Sequence, residues 1–434
     1  MTMMTQDGAH APQRRGVAGY SLLLLFLANV LNVADRALLG IVVDPVKADL
    51  GLTDTQISIV SGTAFVLFNL IVGIWIARWV DRGNRKWILI LGITLWSVAT
   101  ALTGYAQGFA SLAATRIMVG VGEATAFPVA ISMIADLFAP ARRPRAVGIF
   151  QASIFVGVVL GSIAAGMLAA AHGWRMMFLI CGGAGLVLAL VMLPTMREPA
   201  RGRFDAAAPV GVEGSSFFRD IMTLLRAPGF ALLSLGTGVG SMAGAILPIW
   251  APTFLLRSHN VALADVGAII GPAVGIGGVT GTIVAGLLAS HFVTKRRGEI
   301  HGLIVPMIAM PLAAPFFALY CFAPSLLVTM IAAAVMNFLL ASAIGPCFAA
   351  AIALSPPKSR AVSSTLMLAA SGVIGGALAP LIVGMISDAL APGLGTESLR
   401  YAMSVMMVMP PVAAVIIWLA YRQARKGVGH SGAQ

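Results

Sequence analysis

Twelve apolar runs follow one another along the chain, at roughly 19–43, 56–79, 87–106, 111–138, 146–171, 175–195, 229–256, 265–292, 301–322, 325–353, 361–388 and 398–421. About 20 apolar residues, rising 1.5 Å each as a helix, cover the hydrocarbon core of a bilayer. Inside lipid every peptide group must find its partner within the chain, so runs of this length predict transmembrane α-helices. Between the sixth and seventh runs, 196–228 mixes charges with several Gly and Pro and reads as a linker. The pattern predicts an all-α membrane protein: a tail (1–18), a six-helix bundle (19–195), the linker (196–228), a second six-helix bundle (229–421) and a tail (422–434). The first run follows Arg14-Arg15 as a signal peptide would, but it is too long for a signal core and is read as a retained helix.

Composition agrees: 59% of the residues are hydrophobic and 10% charged. The net charge of +12 does not point to nucleic acid, because the basic residues gather in short loops. The N-terminus, the loops after even-numbered runs and the C-terminus hold 22 of the 28 Lys and Arg. The opposite side has Lys47, Arg175, Arg257 and Arg400, and Arg36 and Arg116 lie within runs. Positive charge stays inside, so both termini are expected in the cytoplasm. The Ala- and Gly-rich, Lys-poor composition suggests a bacterial inner membrane. Cys181, Cys321 and Cys347 sit far apart in apolar runs and read as small core residues, with neither disulfide nor metal site implied.

The halves share a faint repeat. Arg145-Ala-Val147 recurs as Arg360-Ala-Val362, and at the same offset Gly157 matches Gly372 and Gly161 matches Gly376. Identities in register at equivalent places suggest a duplicated six-helix unit, an arrangement that puts a transporter's substrate site near midplane between the repeats. The paired glycines read as close helix packing. Gly236-x-Gly238-x-Gly240 is no nucleotide loop, since no strand precedes it. In the linker, 217–225 is compatible with a short amphipathic helix on the membrane surface or with a plain tether.

Against this apolar background the charges inside the runs stand out. Asn29, Asn32 and Arg36 fall at i, i+3 and i+7 on one face of the first run, and Asp35 lies within reach of Asn32. Snorkelling of Asp35 and Arg36 to the headgroups would leave 37–43 to cross apolar depth beyond them. In the fourth run Arg116, Gly120 and Glu123 share a face. That helix runs antiparallel to the first and brings Arg116 and Glu123 to the depth of Asp35 and Arg36. Two acids and two bases there form either a structural ion-pair cluster or one that responds to protons or substrate. The second half has no charge deep in its runs. Its most conspicuous polar side chain is Asn337, accompanied by Met242, Met307, Met310, Met330, Met336 and Met367, a flexible lining that could receive an acyl chain or simply be core.

The loop Ala77-Arg-Trp-Val-Asp81-Arg82-Gly83-Asn84-Arg85-Lys86 resembles the signature between the second and third helices of the major facilitator superfamily, with Ala for the usual Gly and the Gly-Asn order reversed. The resemblance implies that Asp81, with Arg82 and Arg85, caps the start of the eleventh helix near 360–363 and holds an outward-facing state. Asp136, Arg145 and Arg360 are assigned to the same latch. The matching loop of the second half, 286–291, lacks the acid, so one latch is expected. Finer features resemble spinster-like transporters: Asn32-x-x-Asp35-Arg36, the 81–86 loop, Arg116-x-x-x-Gly120-x-Gly122-Glu123-Ala124 and Ala135-Asp136-Leu137-Phe138. This likeness covers mainly 20–200. It implies a central cavity with Asp35, Arg36 and Glu123, and an amphipathic lipid such as a lysophospholipid or sphingolipid as substrate.

No His-Glu-x-x-His, Gly-x-Ser-x-Gly or Walker A sequence occurs, so neither those enzyme classes nor ATP-driven pumping is indicated. The expected function is secondary transport by alternating access, driven by a proton gradient without a cofactor, in a monomer among membrane lipids. Arg36, with Arg116 as second candidate and Asn29, Asn32 and Asn337 nearby in the cavity, would attract an anionic head group. Asp35 and Glu123 would compete for Arg36 as they gain and lose protons. A small organic anion, a carboxylate or sugar acid, is the alternative substrate.

Overall fold

The computed structural model describes residues 15–140, 142–202, 204, 217–296, 298–356 and 359–431. Among them there is no β-strand. Ten apolar helical stretches are long enough to cross a bilayer. Two of these are pairs of helices joined through Gly173 (φ 79°) and Gly395 (φ 53°), a backbone that only glycine adopts readily, so the chain makes twelve crossings. They are α1 (Arg15–Ile41), α2 (Asp54–Arg82), α3 (Arg85–Thr103), α4 (Phe109–Leu137), α5 (145–172), α6 (174–195), α7 (Phe230–His259), α8 (Leu263–Arg296), α9 (Glu299–Phe322), α10 (Leu326–Ala353), α11 (362–394) and α12 (398–426). A short helix, Val43–Leu50, links α1 to α2, and Phe217–Arg226 precedes α7.

Local chemistry sets several boundaries. A capping box opens α2: the Thr53 hydroxyl accepts from Gln56 N at 3.2 Å, and the Gln56 side chain accepts from Thr53 N at 3.0 Å. The reversed Gly83-Asn84 order acquires a reason here, since Asn84 caps α3 by accepting from Trp87 N at 3.2 Å. The helical ladder of α4 is interrupted just after Glu123, at 124–125, and that of α10 at 342–343. Widened π-helical turns occur in α2 (Ile59–Ala64) and α11 (Ser371–Leu378), and they face each other across the two halves. Such turns release a backbone carbonyl from the regular ladder and often mark functional places; here Thr63 Oγ1 donates to Ala377 O at 2.9 Å across the contact.

Within a membrane, helices associate by close packing, because lipid is as apolar as leucine. Glycine provides the approach where the halves and the charge-bearing helix meet. On α5, a Cβ on Gly157 would sit 2.7 Å from Val30 O, and one on Gly161 2.5 Å from Ala34 Cα, so both glycines seat α1. Gly267 of α8 lies against the Ser162 backbone of α5, and Gly40 of α1 against the Pro248 carbonyl of α7.

The end holding the start of α1, the inter-half segment and the end of α12 is called the terminal face, and the other the distal face. At the distal end one apolar cluster runs through both halves, taking in Val42, Val46 and Phe178 from the first and Trp250, Phe254 and Met403 from the second. Toward the terminal face it gives way to two separate clusters, one around Met133 and Phe150, the other around Phe230, Met367 and Ile417. The halves are joined distally and parted terminally.

A polar bridge crosses the distal joint. The Arg257 guanidinium of α7 donates to Asp44 (2.6 Å from Nη2) and to Asp54 (3.2 Å from Nη1). Lys47 also pairs with Asp54, and Ser387 Oγ of α11 donates to Asp54 Oδ2 at 2.7 Å. Asp388 of α11 accepts from the backbone N–H groups of Asp54 (2.9 Å) and Thr55 (2.8 Å), which places a carboxylate at the positive end of α2. This is a latch at the opposite end from the expected one. The 286–291 loop supplies no acid, and the distal latch takes its acid from the end of α11 instead.

Two outcomes follow from this joint. Replacing Arg257 by Ala, or Asp388 by Asn, shifts the conformational balance toward a distally open state. The change lies between the about 1 kcal/mol of an exposed ion pair and the roughly 3–5 kcal/mol of a buried one. Spin labels at Gln107 and Gly393 should report a longer distance in either variant, and an unchanged distance distribution would remove the bridge from the closing energetics. Gly267→Val forces a side chain into the Ser162 backbone. It should cost about 1–3 kcal/mol and lower the thermal unfolding midpoint of the purified protein.

Candidate functional site

The four charges singled out on the first and fourth runs form one cluster within the first half. Arg36 Nε donates to Glu123 Oε2 at 2.7 Å, and Arg36 Nη2 to Asn32 Oδ1 at 3.3 Å. Arg116 Nη1 lies 3.4 Å from Asp35 Oδ2, and the Thr100 hydroxyl of α3 donates to Asp35 Oδ1 at 2.7 Å. Each acid therefore has its own base. In this arrangement Asp35 is held by Arg116 and Thr100, and Glu123 by Arg36.

Local backbone chemistry explains why the side chains settle there. Side chains around the break after Glu123 tie its carbonyls to neighbouring helices and to the helix itself. Asn69 Nδ2 donates to Gly120 O at 2.9 Å, Thr125 Oγ1 to Gly122 O at 2.8 Å, and Asn32 Nδ2 to Glu123 O at 3.4 Å. Asn29 Nδ2 donates to Ser153 Oγ of α5 at 2.7 Å and fixes the face of α1 that carries the stripe. The Phe65 ring of α2 packs against both guanidinium groups, 5.5 Å from Arg36 Cζ and 5.7 Å from Arg116 Cζ. Phe65, Asn69, Thr100 and Ser153 complete the site without any sequence motif to announce them. Only the polarity of Asn69 and Thr100 inside apolar runs gave a signal.

Exposure separates the members. The Glu123 side chain is 0% exposed, Arg116 2% and Asp35 6%, whereas Arg36 is 47% exposed. Arg36 presents a charged face to the space between the halves while its counter-ion stays dry. Glu123 Oε1 and Arg116 Nε are buried without a hydrogen-bond partner, so the cluster has unused capacity on both an acid and a base. Among the described residues no group of His, Cys, Asp and Glu is arranged to hold a metal ion.

In the second half, Asn337 lines a cavity of about 400 Å³ with Thr237, Ser241, Met310, Ile344 and Phe348, and its amide donates to Val274 O. Of the six methionines proposed as an acyl-receiving wall, Met310 alone lines this cavity. Met242, Met336 and Met367 are buried in the apolar clusters, and Met307 and Met330 pack against them. The core reading holds for those five.

The proposed terminal latch is not assembled. Asp81, Arg82, Arg145 and Arg360 are exposed, and Asp81 forms no ion pair with Arg360. Arg85 is instead fully buried, paired with Asp136 and with Glu198 (2.7 Å), and donates to Pro199 O at 2.9 Å. Arg201 donates to the carbonyls of Val80 and Asp81, each at 2.6 Å, at the end of α2. The segment after α6 is thus docked onto the α2–α3 loop, and of the two readings open for 217–225 the helical one is seen, as Phe217–Arg226.

Comparisons with known proteins agree with this architecture. Residues 25–380 match the Major Facilitator Superfamily. The chain is 32% identical over 423 residues to an "MFS-type efflux pump" of Mycolicibacterium smegmatis, covering 96% of this chain and 95% of that protein. It is 31% identical over 411 residues to "Protein spinster homolog 1" of Xenopus tropicalis, covering 88% and 77% respectively. A crystal structure of a bacterial homolog to the human lysosomal transporter Spinster, described as inward-facing and unoccupied, superposes with a TM-score of 0.87 at 27% identity over 95% of this chain and 98% of that one. Twelve crossings in two halves, a charge cluster inside the first half and these similarities establish that the chain belongs to the Major Facilitator Superfamily of multi-pass membrane transporters, among its spinster-like members.

Proposed function

We propose that the protein is a proton-coupled carrier of an amphipathic lipid with an anionic head group, such as a lysophospholipid, and that its terminal face is cytoplasmic. The observation that carries this reading is the Arg36–Glu123 pair, in which a half-exposed guanidinium is tied at 2.7 Å to a fully buried carboxylate. A buried carboxylate without its counter-ion favours the protonated form. Binding of an anionic head group to Arg36 and protonation of Glu123 are therefore linked, each making the other easier. Asp35, held by Arg116 and Thr100, is the second acid in contact with this equilibrium.

The apolar remainder of the substrate has two places to lie. One is the Asn337 cavity of the second half. The other is an apolar groove along the α5–α8 seam, lined by Phe155, Val159, Ile276 and Val279 and facing the lipid. With the basic loops inside, the distal joint closes the external side and the parted terminal side opens to the cytoplasm. The similarity to an inward-facing spinster homologue supports this orientation, and the apolar cavity and groove support a lipid over a small solute. Rocking of the two halves about the central site would exchange the distal latch for one at Asp81 and α11.

The test is uptake of a fluorescent lysophospholipid into proteoliposomes, with and without a pH gradient, together with gradient-free exchange. Wild type should show gradient-driven movement. Glu123→Gln should lose the gradient dependence yet retain exchange, and Arg36→Ala should lose both. Full gradient dependence in both Glu123→Gln and Asp35→Asn would falsify the coupling scheme. An inactive wild type that moves small carboxylates instead would replace the lipid by an organic anion.

A further inference from the structure

Behind the charge cluster, on the side away from the space between the halves, lies a separate pocket. It is enclosed by α1, α3, α5 and α6 and holds about 260 Å³. Its walls are apolar, with Leu38, Trp96 and Leu168 among them, and Asp35 and Thr100 lie at its polar end. Ser97 also lines it: this residue is 1% exposed and its hydroxyl has no hydrogen-bond partner. The lining residues that reach the protein surface are Leu160 of α5 and Ile180 and Ala184 of α6, so the mouth opens toward lipid between those helices.

An orphaned buried hydroxyl costs free energy that a donor from outside would recover. Asp35 points the same way. Its contact with Arg116 is long, 3.4 Å against the 2.7 Å of Arg36–Glu123, and a carboxylate has room for more donors than Thr100 and Arg116 supply. The polar end of the pocket therefore offers acceptors, the Asp35 carboxylate and the Ser97 hydroxyl, while its walls and its approach through lipid admit only a compact apolar body.

We propose that this pocket is a second binding site, distinct from the central cavity, for a small lipophilic amine whose ammonium group donates to Asp35 and Ser97. The site is reached from the bilayer rather than from either aqueous face. Asp35 is shared with the charge cluster, but the mouth and the rest of the lining include neither Arg36 nor Glu123, so the site does not depend on which substrate is transported.

Cys181 also lines the pocket and is half-buried, whereas Cys321 and Cys347 are fully buried, so its thiol reports occupancy. The probe is 1-adamantylamine, an apolar cage with one primary ammonium. Modification of Cys181 by methyl methanethiosulfonate in the purified full-length protein is followed by peptide mass spectrometry. The amine should slow it by about ten-fold at a concentration about ten times its Kd. The uncharged 1-adamantanol should slow it much less, and Asp35→Asn should abolish the difference between the two. Ala184→Trp, at a lipid-exposed position, should by itself slow the modification by narrowing the mouth. Equal protection by amine and alcohol in the wild type would overturn the proposal, as would no protection by either. A Cys181 that reacts equally fast in Ala184→Trp would overturn the lipid-side route.

Discussion

The Arg36–Glu123 ion pair is the constraint around which the first half is built. A carboxylate with no exposed surface, deep within a membrane helix, is tolerable only if a cation and donors are delivered to it. Delivery requires α1 and α4 to be in fixed register, and the packing supplies it. Gly157 and Gly161 seat α1 on α5, Asn29 ties the same helix to Ser153, and Asn32 reaches the carbonyl of Glu123 itself. Phe65 then packs against both guanidinium groups and adds its ring face to their surroundings. Packing by glycine and pairing by charge specify the same arrangement.

The distal joint combines two kinds of adhesion with different consequences for motion. Its apolar cluster is continuous across the halves, but between membrane helices such contact is largely replaceable by lipid or by another apolar surface. The bridge of Arg257, Asp44, Asp54 and Asp388 is directional and depends on partners from both halves. Opening the joint therefore trades apolar contacts at modest net cost and breaks the polar ones outright. That division lets a joint be closed firmly and still be reversible.

What was legible in the sequence was what lipid dictates. Runs long enough to cross, the side bearing the basic loops and four charges at one depth all follow from the cost of polar groups in hydrocarbon. Partner choice was not legible. Thr100 approaches Asp35 from α3 and takes part of the carboxylate that Arg36 was expected to contest. Asp388 finds the start of α2 from 334 positions away, and no local pattern marks an acid at a helix end as a cap for a distant helix. Asn84 was read as a departure from a motif, and its hydrogen bond to Trp87 shows it to be a cap. The methionines could not be decided from sequence, since a flexible apolar side chain serves a core and a binding wall equally well.

All four charged groups of the cluster belong to one half, and this limits how they can drive transport. Rocking two rigid bundles against each other leaves Arg36–Glu123 and Arg116–Asp35 intact, because no partner of either pair moves with the second half. Coupling must then act through what the cluster presents to the interface. The group presented is Arg36, the one charged member that is substantially exposed. With Arg36 bare, the approach of the apolar second half would desolvate an unneutralised face of the guanidinium. Under the proposed scheme an anion on Arg36 together with a proton on Glu123 restores the neutrality that the Arg36–Glu123 pair has alone, whereas either one without the other leaves a net charge at the interface. In that scheme the demand for both together comes from the electrostatics of closing, and the second half adds no charged residue deep in its runs.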